Sequence, residues 1–408
     1  MTPRPLLIIS DAPTAGTGLS RITRDLAVRI ATNLPDVFRV ATLGYGGPYS
    51  SKLPFHQYAI EMRDWVIFNL PEVWRDFAGN EKGILLTIWD PSRLLWLSRP
   101  ENCADQRLRN FLLQKPFDLW GYLPIDATGP HNRLTAILRH TIEGFDRILA
   151  YSAWAAGVLE RTLTANGTSN VHVDDLPHGI DTSVFQPRNR NVARHGFGER
   201  IGAKVPGKNG KPARFLTIPD DVFLVGIVAT NQARKDWGLA IQTVAELAKY
   251  RNVMLWCHLD ELERHFSIPA LLTDFGLAEN TVVTSLELSD EQMSYCLSAC
   301  DVTLGIGNGE GWGLPLSESL ACGAPVIHGN YGGATDFVPK QFLVEPIAYR
   351  LEGVYNCVRC VYKPEDWAAK VLEVAGTRTV CPEYIRWENA WTSWESWLRK
   401  GLEDGGHK

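Results

Sequence analysis

The sequence predicts an α/β protein built from two domains, each with a parallel sheet. The chain has 408 residues, more than the roughly 250–300 residues that one hydrophobic core usually serves. Short apolar segments alternate along it with segments whose apolar residues recur at helical spacing, a pattern typical of parallel sheets covered by helices. A strand, a glycine-rich loop and a helix follow one another twice, at residues 6–32 and 302–321. We therefore expect two Rossmann-like domains.

Composition excludes several classes of protein. A formal net charge of −5 argues against a generally basic nucleic-acid binder. No run of about 18 apolar residues occurs and residues 1–5 lead straight into a strand, so we expect a cytoplasmic protein without a transmembrane segment. The eight cysteines do not suggest a disulfide framework. Cys357, Cys360 and Cys381 have zinc-like spacing, but no second pair completes a site, so we expect no metal.

The N-terminal domain begins with a buried strand at residues 6–9, a glycine loop at 11–18 and a helix at about 19–32. Further strands are expected at residues 38–43, 66–68, 84–88, 119–123 and 148–151, and helices at 71–77, 102–113 and 135–144. Asp90 and Asp126 follow two of these strands, and Ser152 follows another. Ligands bind at the carboxyl ends of parallel strands, so these residues are candidate site residues.

We predict four segments: an N-terminal Rossmann-like domain at 1–180, a basic linker or loop at 181–215, a C-terminal Rossmann-like domain at 216–380, and a C-terminal helix at 381–408 that packs back on the N-terminal domain. In the second domain we expect strands at residues 222–229, 253–257, 282–283, 302–306 and 325–328, and helices at 239–250, 290–300, 314–321 and 367–375. Four tryptophans recur at three- and four-residue steps between residues 384 and 400, which predicts an amphipathic helix that packs through aromatic rings.

The second glycine-rich loop is the most informative stretch. Glycines at alternate positions from 305 to 313 allow a ligand to approach the backbone, and the helix at 314–321 tolerates Pro315 in its first turn. Free amide groups and the positive end of the helix dipole would favour an anion there. Glu310 lies in the loop and Glu318 eight residues later, about two turns into the predicted helix, so both can face the same crevice. Carboxylates beside an anion site suit a ligand whose hydroxyls accompany its phosphate.

These residues carry a resemblance. The segment EGWGLPLSE from Glu310 to Glu318, the following ACGAPVI, and Gly332 with Gly333 resemble the sugar-donor signature of the retaining, family-4-like glycosyltransferases (glycosyl transferases group 1) with the GT-B fold. The resemblance implies two domains facing a central cleft, with the last helix returning to the N-terminal domain. It also implies that the following residues bind a nucleotide-sugar: Gly16, Thr17, Gly18, Arg234, Lys235, Glu310, Gly311, Trp312, Gly313, Leu314 and Glu318.

The resemblance further implies residue roles. In that family Glu310 and Glu318 would contact the sugar and the ribose, while an arginine and a later lysine bind the leaving diphosphate. Lys235 matches the lysine, but the usual arginine position holds Thr230 or Asn231, so Arg234 is the candidate substitute. Transfer would retain the anomeric configuration and need no metal or other cofactor. Catalysis is assigned to Glu310, Lys235 and Asp126, the last orienting the acceptor, and the donor is expected to be UDP-glucose.

Several alternatives stay open at this stage. Eight basic residues between positions 186 and 214 could track phosphates, so the acceptor could be a hydroxylated base in modified DNA. The same fold could serve a sugar-nucleotide epimerase or hydrolase, or a catalytically silent sugar-nucleotide-binding protein. The acceptor and the oligomeric state are not predicted.

Overall fold

A computed structural model describes residues 2–205, 212–285 and 287–405. The chain divides into two compact units. The first comprises residues 1–178, 352–357 and 393–408, and the second comprises residues 179–351 and 358–392.

The first unit contains a seven-stranded parallel sheet. Its strands are β1 (Arg4–Asp11), β2 (Phe38–Tyr45), β3 (His56–Ile60), β4 (Gly83–Thr87), β5 (Phe117–Leu123), β6 (Arg147–Ala150) and β7 (His172–Asp175), in the order β3-β2-β1-β4-β5-β6-β7. Its helices are α1 (Gly18–Asn33), α2 (Arg63–Ala78), α3 (Leu95–Ser98), α4 (Gln106–Gln114) and α5 (Ala153–Ala165). The strand order reverses between β1 and β4, which places the topological switch point of this sheet at their carboxyl ends.

Two elements of the first unit differ from the prediction. Residues 66–68, expected as a strand, lie inside α2, because Val66, Leu70, Val73 and Trp74 recur at helical spacing and are all buried. The helix expected at residues 135–144 is a series of turns. A side chain at Gly144 would come within 2.4 Å of the Ser98 carbonyl oxygen, so tight packing at this point constrains the backbone.

The second unit contains a six-stranded parallel sheet in the order β12-β11-β10-β13-β14-β15. Its helices and strands are α6 (Arg190–His195), α7 (Phe197–Ile201), β8 (Lys204–Val205), β9 (Arg214–Phe215), β10 (Phe223–Val228), α8 (Trp237–Ala248), β11 (Val253–His258), α9 (Ile268–Asp274), β12 (Thr281–Thr284), α10 (Asp290–Ala299), β13 (Val302–Gly305), α11 (Leu314–Ala321), β14 (Val326–Gly329), β15 (Leu343–Val344) and α12 (Pro364–Val374). The order reverses between β10 and β13, so the loops after these two strands border the switch point.

Two further elements complete the chain. β16 (Ala348–Glu352) and β17 (Cys357–Val361) form a separate two-stranded sheet, and α13 (Trp387–Gly405) is the last helix. From residue 393 onward this helix belongs to the first unit, where the Trp394 indole nitrogen donates to the Pro177 carbonyl at 2.9 Å and the Trp397 indole nitrogen to Asp174 at 2.8 Å. The predicted return of the C-terminal helix to the N-terminal domain is therefore confirmed. No helix in the described part of the chain is both long and apolar enough to cross a membrane.

Candidate functional site

The loop between β10 and α8 presents two cations. α8 begins beside Asp236, whose side chain accepts a hydrogen bond from the Leu239 amide at 3.0 Å and so fixes the end of the loop. Asn231, one of the two residues at the family's arginine position, is fully buried. Its side chain donates to the Phe266 carbonyl at 2.7 Å and accepts from the Phe266 amide at 3.0 Å. The Asn231 side chain therefore stabilises the loop through its hydrogen bonds to the Phe266 backbone. Arg234 and Lys235 are the cationic residues of this loop.

The loop between β13 and α11 meets that cationic loop through the backbone. Lys235 forms an antiparallel bridge with Gly307, and the Asn308 amide donates to the Arg234 carbonyl at 2.7 Å. The Lys235 ammonium group contacts the Glu310 carboxylate as an ion pair, and an Arg234 guanidinium nitrogen lies 3.6 Å from the other carboxylate oxygen. The structure thus brings Arg234, Lys235 and Glu310 together at the switch point of the second sheet.

Glu310 is charged although it is buried. Burial raises its pKa, but the charges of Lys235 and Arg234 outweigh that effect and hold the pKa below its ordinary value. The side chains of Lys235 and Glu310 are only 12% and 11% exposed, so water screens their attraction weakly. The two loops together therefore hold a carboxylate and two cations at neutral pH.

Two glycines fit closely around Glu310. A side chain at Gly307 would overlap the Glu310 carboxylate, since its Cβ would lie 1.9 Å from Oε1. Gly332 has a φ of +94°, and its Cβ would lie 3.0 Å from the Glu310 carbonyl oxygen. That carbonyl accepts a hydrogen bond from the Gly333 amide at 2.8 Å. The Gly332-Gly333 pair of the sequence motif therefore supports the backbone at Glu310.

The rest of the predicted motif surrounds the start of α11. Leu314 is the first residue of the helix and Gly313 caps it, directly after Gly311 and Trp312. The Trp312 ring is buried and packs on Phe337 at 4.5 Å between ring centroids. Glu318 lies within the helix and is 4% exposed. The segment from 311 to 318 is thus a helix start directly after Glu310, partly exposed at residues 313–315 and buried elsewhere.

The predicted residues of the first unit lie at the carboxyl edge of its sheet. Thr17 caps α1 by accepting from the Ser20 amide, and its hydroxyl donates to Asp11 at 2.6 Å. Gly18 begins α1, and a Cβ at Gly16 would meet no atom within 4 Å, so the backbone at Gly16 borders open space. Asp126 follows β5 and is partly buried.

Three residues at strand ends were not predicted from the sequence. Asp11 is the last residue of β1 and accepts a hydrogen bond from the Trp89 indole at 3.1 Å. Tyr151 follows β6 and is buried. His328, in β14, shares a 2.6 Å hydrogen bond with the Gly305 carbonyl, and burial lowers its pKa. In the sequence, these positions are marked only by a polar residue at the end of an apolar run. This signal is weak, because tyrosine and histidine also occur in hydrophobic cores.

The basic segment is largely folded. In place of a linker or loop, the described residues between 181 and 215 include α6, α7, β8 and β9. Arg194 is fully buried, pairs with Asp301 and donates to the Pro219 and Val222 carbonyls, while Arg190 contacts Asp301 at 2.7 Å. Lys208 and Lys211 lie outside the described residues. Because Arg190 and Arg194 are engaged within the second unit, the segment offers fewer cations to a phosphate backbone than its sequence suggests.

Comparison with known proteins points to one family. Residues 213–346 match the family model for glycosyl transferases group 1. A 187-residue segment is 26% identical to the MMP alpha-(1->4)-mannosyltransferase of Mycolicibacterium hassiacum, covering 46% of this chain and 37% of the relative. A 243-residue segment is 25% identical to the 2-deoxystreptamine glucosyltransferase of Streptomyces kanamyceticus, covering 59% of this chain and 57% of that relative. A 175-residue segment is 26% identical to the D-inositol 3-phosphate glycosyltransferase of Acidothermus cellulolyticus, covering 40% of this chain and 34% of that relative. The chain thus spans between about a third and somewhat more than half of these relatives.

Solved structures agree on the fold. Sucrose-phosphate synthase from Thermosynechococcus elongatus superposes with a TM-score of 0.66 at 14% identity, covering 98% of this chain and all of that one. Anabaena Alr3699/HepE, in complex with UDP and glucose, superposes with a TM-score of 0.61 at 12% identity, covering 91% of this chain and 89% of that one.

The two parallel-sheet units and these neighbours define a protein of GT-B architecture, which confirms the predicted fold class. The chain is, more particularly, similar to group 1 glycosyltransferases, and residues 213–346 form the domain that the family model describes. The resemblance predicted from the sequence is confirmed at that level.

Proposed function

We propose that this protein is a hexosyltransferase that moves a sugar, with retention, from a nucleotide-sugar to an acceptor hydroxyl. The observation that carries the proposal is the charged group of Lys235, Arg234 and the buried Glu310 at the switch point of the second sheet. Two relatives bear the names of a mannosyltransferase and a glucosyltransferase, and a structural neighbour was solved with UDP-glucose. These names support UDP-glucose as the donor to test first.

The two cations suit the leaving group. Departure of a nucleoside diphosphate from the anomeric carbon builds negative charge on the phosphate oxygens. The backbone of Lys235 and Arg234 pairs with residues 307 and 308, so both cations extend from a fixed loop and would take up the charge that develops on the leaving group. A bound diphosphate would draw the Lys235 ammonium group away from Glu310.

The two glutamates suit the hydroxyl groups of the donor. An ionised carboxylate only accepts hydrogen bonds, so Glu310, once its pairing with Lys235 loosens, would accept from sugar hydroxyls and fix the anomeric carbon. Glu318, one turn into α11, would accept from the ribose. Gly311, Trp312, Gly313 and Leu314 would bring the backbone at the start of α11 close to the donor. Gly16, Thr17 and Gly18, at the start of α1, are proposed as further donor-binding residues.

The transfer step balances without a further reagent. The bond between the anomeric carbon and the phosphate oxygen breaks, and the acceptor oxygen bonds to that carbon on the same face. The acceptor proton passes to the departing diphosphate. Asp126 would orient the acceptor, and no metal is required for these steps.

Glu310→Gln tests the proposal, since it keeps the volume of the side chain and removes its charge. We expect the rate of glucosyl transfer or of slow UDP release from UDP-glucose to fall by about 10²-fold, because the sugar is no longer positioned. UDP affinity, measured by calorimetry, should be retained or increased, because Lys235 and Arg234 lose their competing carboxylate.

The matched control is Glu279→Gln, an exposed glutamate of the same unit, which should turn over like the wild type. Wild-type turnover by the Glu310 variant would reject the assignment. Free glucose released at an unchanged rate whether or not an acceptor is present would favour a hydrolase. Labelled glucose recovered on hydroxymethylated duplex DNA would favour the DNA acceptor.

A further inference from the structure

Arg359, in β17, contacts the glycine-rich loop that carries Glu310. A terminal nitrogen of its guanidinium group, Nη1, donates to the Asn308 carbonyl at 2.8 Å. The Asn308 amide in turn donates to the Arg234 carbonyl at 2.7 Å. Arg359 is therefore linked through one residue to the loop that bears Arg234 and Lys235, although it is distant from them in sequence.

Further hydrogen bonds hold β17 against this loop. The Asn308 side chain, which is 7% exposed, accepts from the Cys360 amide at 2.7 Å and donates to the Cys360 carbonyl. The Tyr331 hydroxyl, in the segment after β14, donates to the Val358 carbonyl at 3.2 Å. Because backbone groups on both sides of Arg359 are engaged, the start of its side chain is fixed beside the loop.

The loop after β13 receives cations from two sides of the sheet. β10 and β14 flank β13 on opposite sides. Arg234 and Lys235 come from the loop after β10, whereas Arg359 comes from a strand that is hydrogen-bonded to the segment after β14. A molecule bound at this loop can thus contact a cation other than the pair assigned to the leaving group.

The guanidinium group of Arg359 has donors that the described structure leaves unused. Its hydrogen bond goes to Asn308, and it forms no ion pair with any described residue. Its Nε is buried and has no hydrogen-bond partner in that part of the chain. Buried polar groups are nearly always satisfied, so such a donor indicates a ligand, a water or an ion that completes it. Arginine binds phosphate and carboxylate through two parallel N–H groups, a geometry that would use Nε together with Nη2.

The position of Arg359 in the chain is also informative. The segment that the family model matches ends at residue 346, before β16 and β17, so Arg359 lies outside it. Arg190 and Arg194, which lie before the matched segment, both pair with Asp301. Arg359 differs from these two arginines because it lies at the candidate site and has no carboxylate partner among the described residues.

We propose that Arg359 binds an oxyanion of the nucleotide-sugar, as a donor-binding residue contributed by the hairpin of β16 and β17. This assignment rests on the proposed function and adds a third cation to the donor site. The bound group is a pair of acceptor oxygens that share a negative charge. Two parts of a donor carry such a group: the diphosphate, and the carboxylate of the sugar when the sugar is a uronic acid.

Three uridine nucleotides distinguish these two sources: UDP, UDP-glucose and UDP-glucuronate, each titrated into the full chain by calorimetry. The variant Arg359→Gln removes the charge and the guanidinium fork. If the diphosphate is bound, all three ligands should lose about tenfold in affinity. If the sugar carboxylate is bound, the wild type should prefer UDP-glucuronate, and only that ligand should lose affinity. Unchanged affinities for all three ligands would overturn the proposal.

Two controls separate ligand binding from support of the loop. Uridine carries no oxyanion, so its binding, measured by ligand-detected NMR, should be the same in Arg359→Gln and the wild type. A loss for uridine as large as that for the nucleotides would show that Arg359 only holds the Asn308 carbonyl, and would overturn the proposal. Arg359→Lys, which keeps the charge without the fork, should recover part of the lost affinity. Arg251→Gln, at an exposed arginine before β11, should bind every ligand like the wild type.

Failure of this proposal differs from failure of the proposed function. Glu310-dependent UDP release, combined with unchanged affinities in Arg359→Gln, would reject the role of Arg359 alone. A wild-type protein that binds none of the three nucleotides would instead reject the proposed function.

Discussion

Buried ionisable side chains in both units are each held in one protonation state, by opposite physical effects. Glu310 stays charged because Lys235 and Arg234 offset its desolvation. His178 stays neutral because it is fully buried, with a pKa lowered to about 3 by desolvation and by the Arg21 charge. The ionised Glu310 can accept hydrogen bonds from a ligand. The neutral, buried His178 makes the stability of the first unit depend on pH.

We predict that the free energy of unfolding falls as the pH is lowered from 7.5 to 5. The neutral form of His178 stabilises the fold fully above the ordinary histidine pKa of about 6.5, and that stabilisation is lost progressively as the pH falls toward the folded-state pKa of about 3. His178 alone should contribute a loss of about 2 kcal/mol over this range. Urea denaturation at several pH values measures the slope.

His178→Asn, which keeps a polar partner for the Tyr122 hydroxyl, should flatten this dependence. His265→Gln, a change at an exposed histidine, should preserve it. An identical slope in His178→Asn and the wild type would show that other groups govern the pH response.

At the scale of elements, the loops after β10 and β13 act as one structure. Lys235 pairs with Gly307, Arg234 with Asn308, and the Asp236 amide donates to the Ile306 carbonyl at 3.1 Å. The Asn308 side chain in turn accepts from the Cys360 amide at 2.7 Å, which ties the loop to β17. Such backbone pairing fixes Glu310 and the two cations more firmly than side-chain packing alone would.

Gly332→Ala should disturb this arrangement. The residue has a φ of +94°, where an L side chain is strained, and its Cβ would press on the Glu310 carbonyl at 3.0 Å. We expect a loss of about 1–3 kcal/mol in the free energy of unfolding and weaker UDP binding, measured by denaturation and calorimetry. Gly238→Ala is the matched control, because this glycine is helical and its Cβ would find no atom closer than 3.6 Å. Equal losses in the two variants would contradict the explanation.

At the scale of the whole molecule, the first unit is assembled from both ends of the chain. Trp394 is fully buried and meets the Tyr122 ring edge-on at 4.7 Å. The Arg147 guanidinium group lies 5.4 Å from the Trp120 ring centroid and 4.6 Å from that of Trp397. The end of α13 is therefore part of the core of the first unit and contributes to its stability.

Trp394→Ala should lower the free energy of unfolding by about 3–5 kcal/mol, since it opens a cavity and removes the hydrogen bond to Pro177. Trp391→Ala, on the same helix but partly exposed, should have a clearly smaller effect. Guanidinium denaturation followed by circular dichroism measures both, and equal effects would argue against the proposed contribution of the helix end.

Much of the fold could be predicted because its signals are local. The apolar runs that became β1, β10 and β13, and the glycine loops after β1 and β13, can be recognised in short windows of sequence. The prediction of a strand at residues 66–68 was wrong because three apolar residues do not reveal a helical period that begins earlier. The turns at 136–144 were missed because packing against Ser98, distant in sequence, constrains them.

For the candidate site, the sequence by itself determined the residue types: a glutamate in a glycine loop, a lysine after a strand, and aspartates at strand ends. Only the tertiary structure decided which of them meet. Lys235 and Glu310 are 75 residues apart, and they form an ion pair because β10 and β13 are neighbours at the point where the strand order reverses. Strand order and burial depend on contacts between distant segments, which no local pattern of residues encodes.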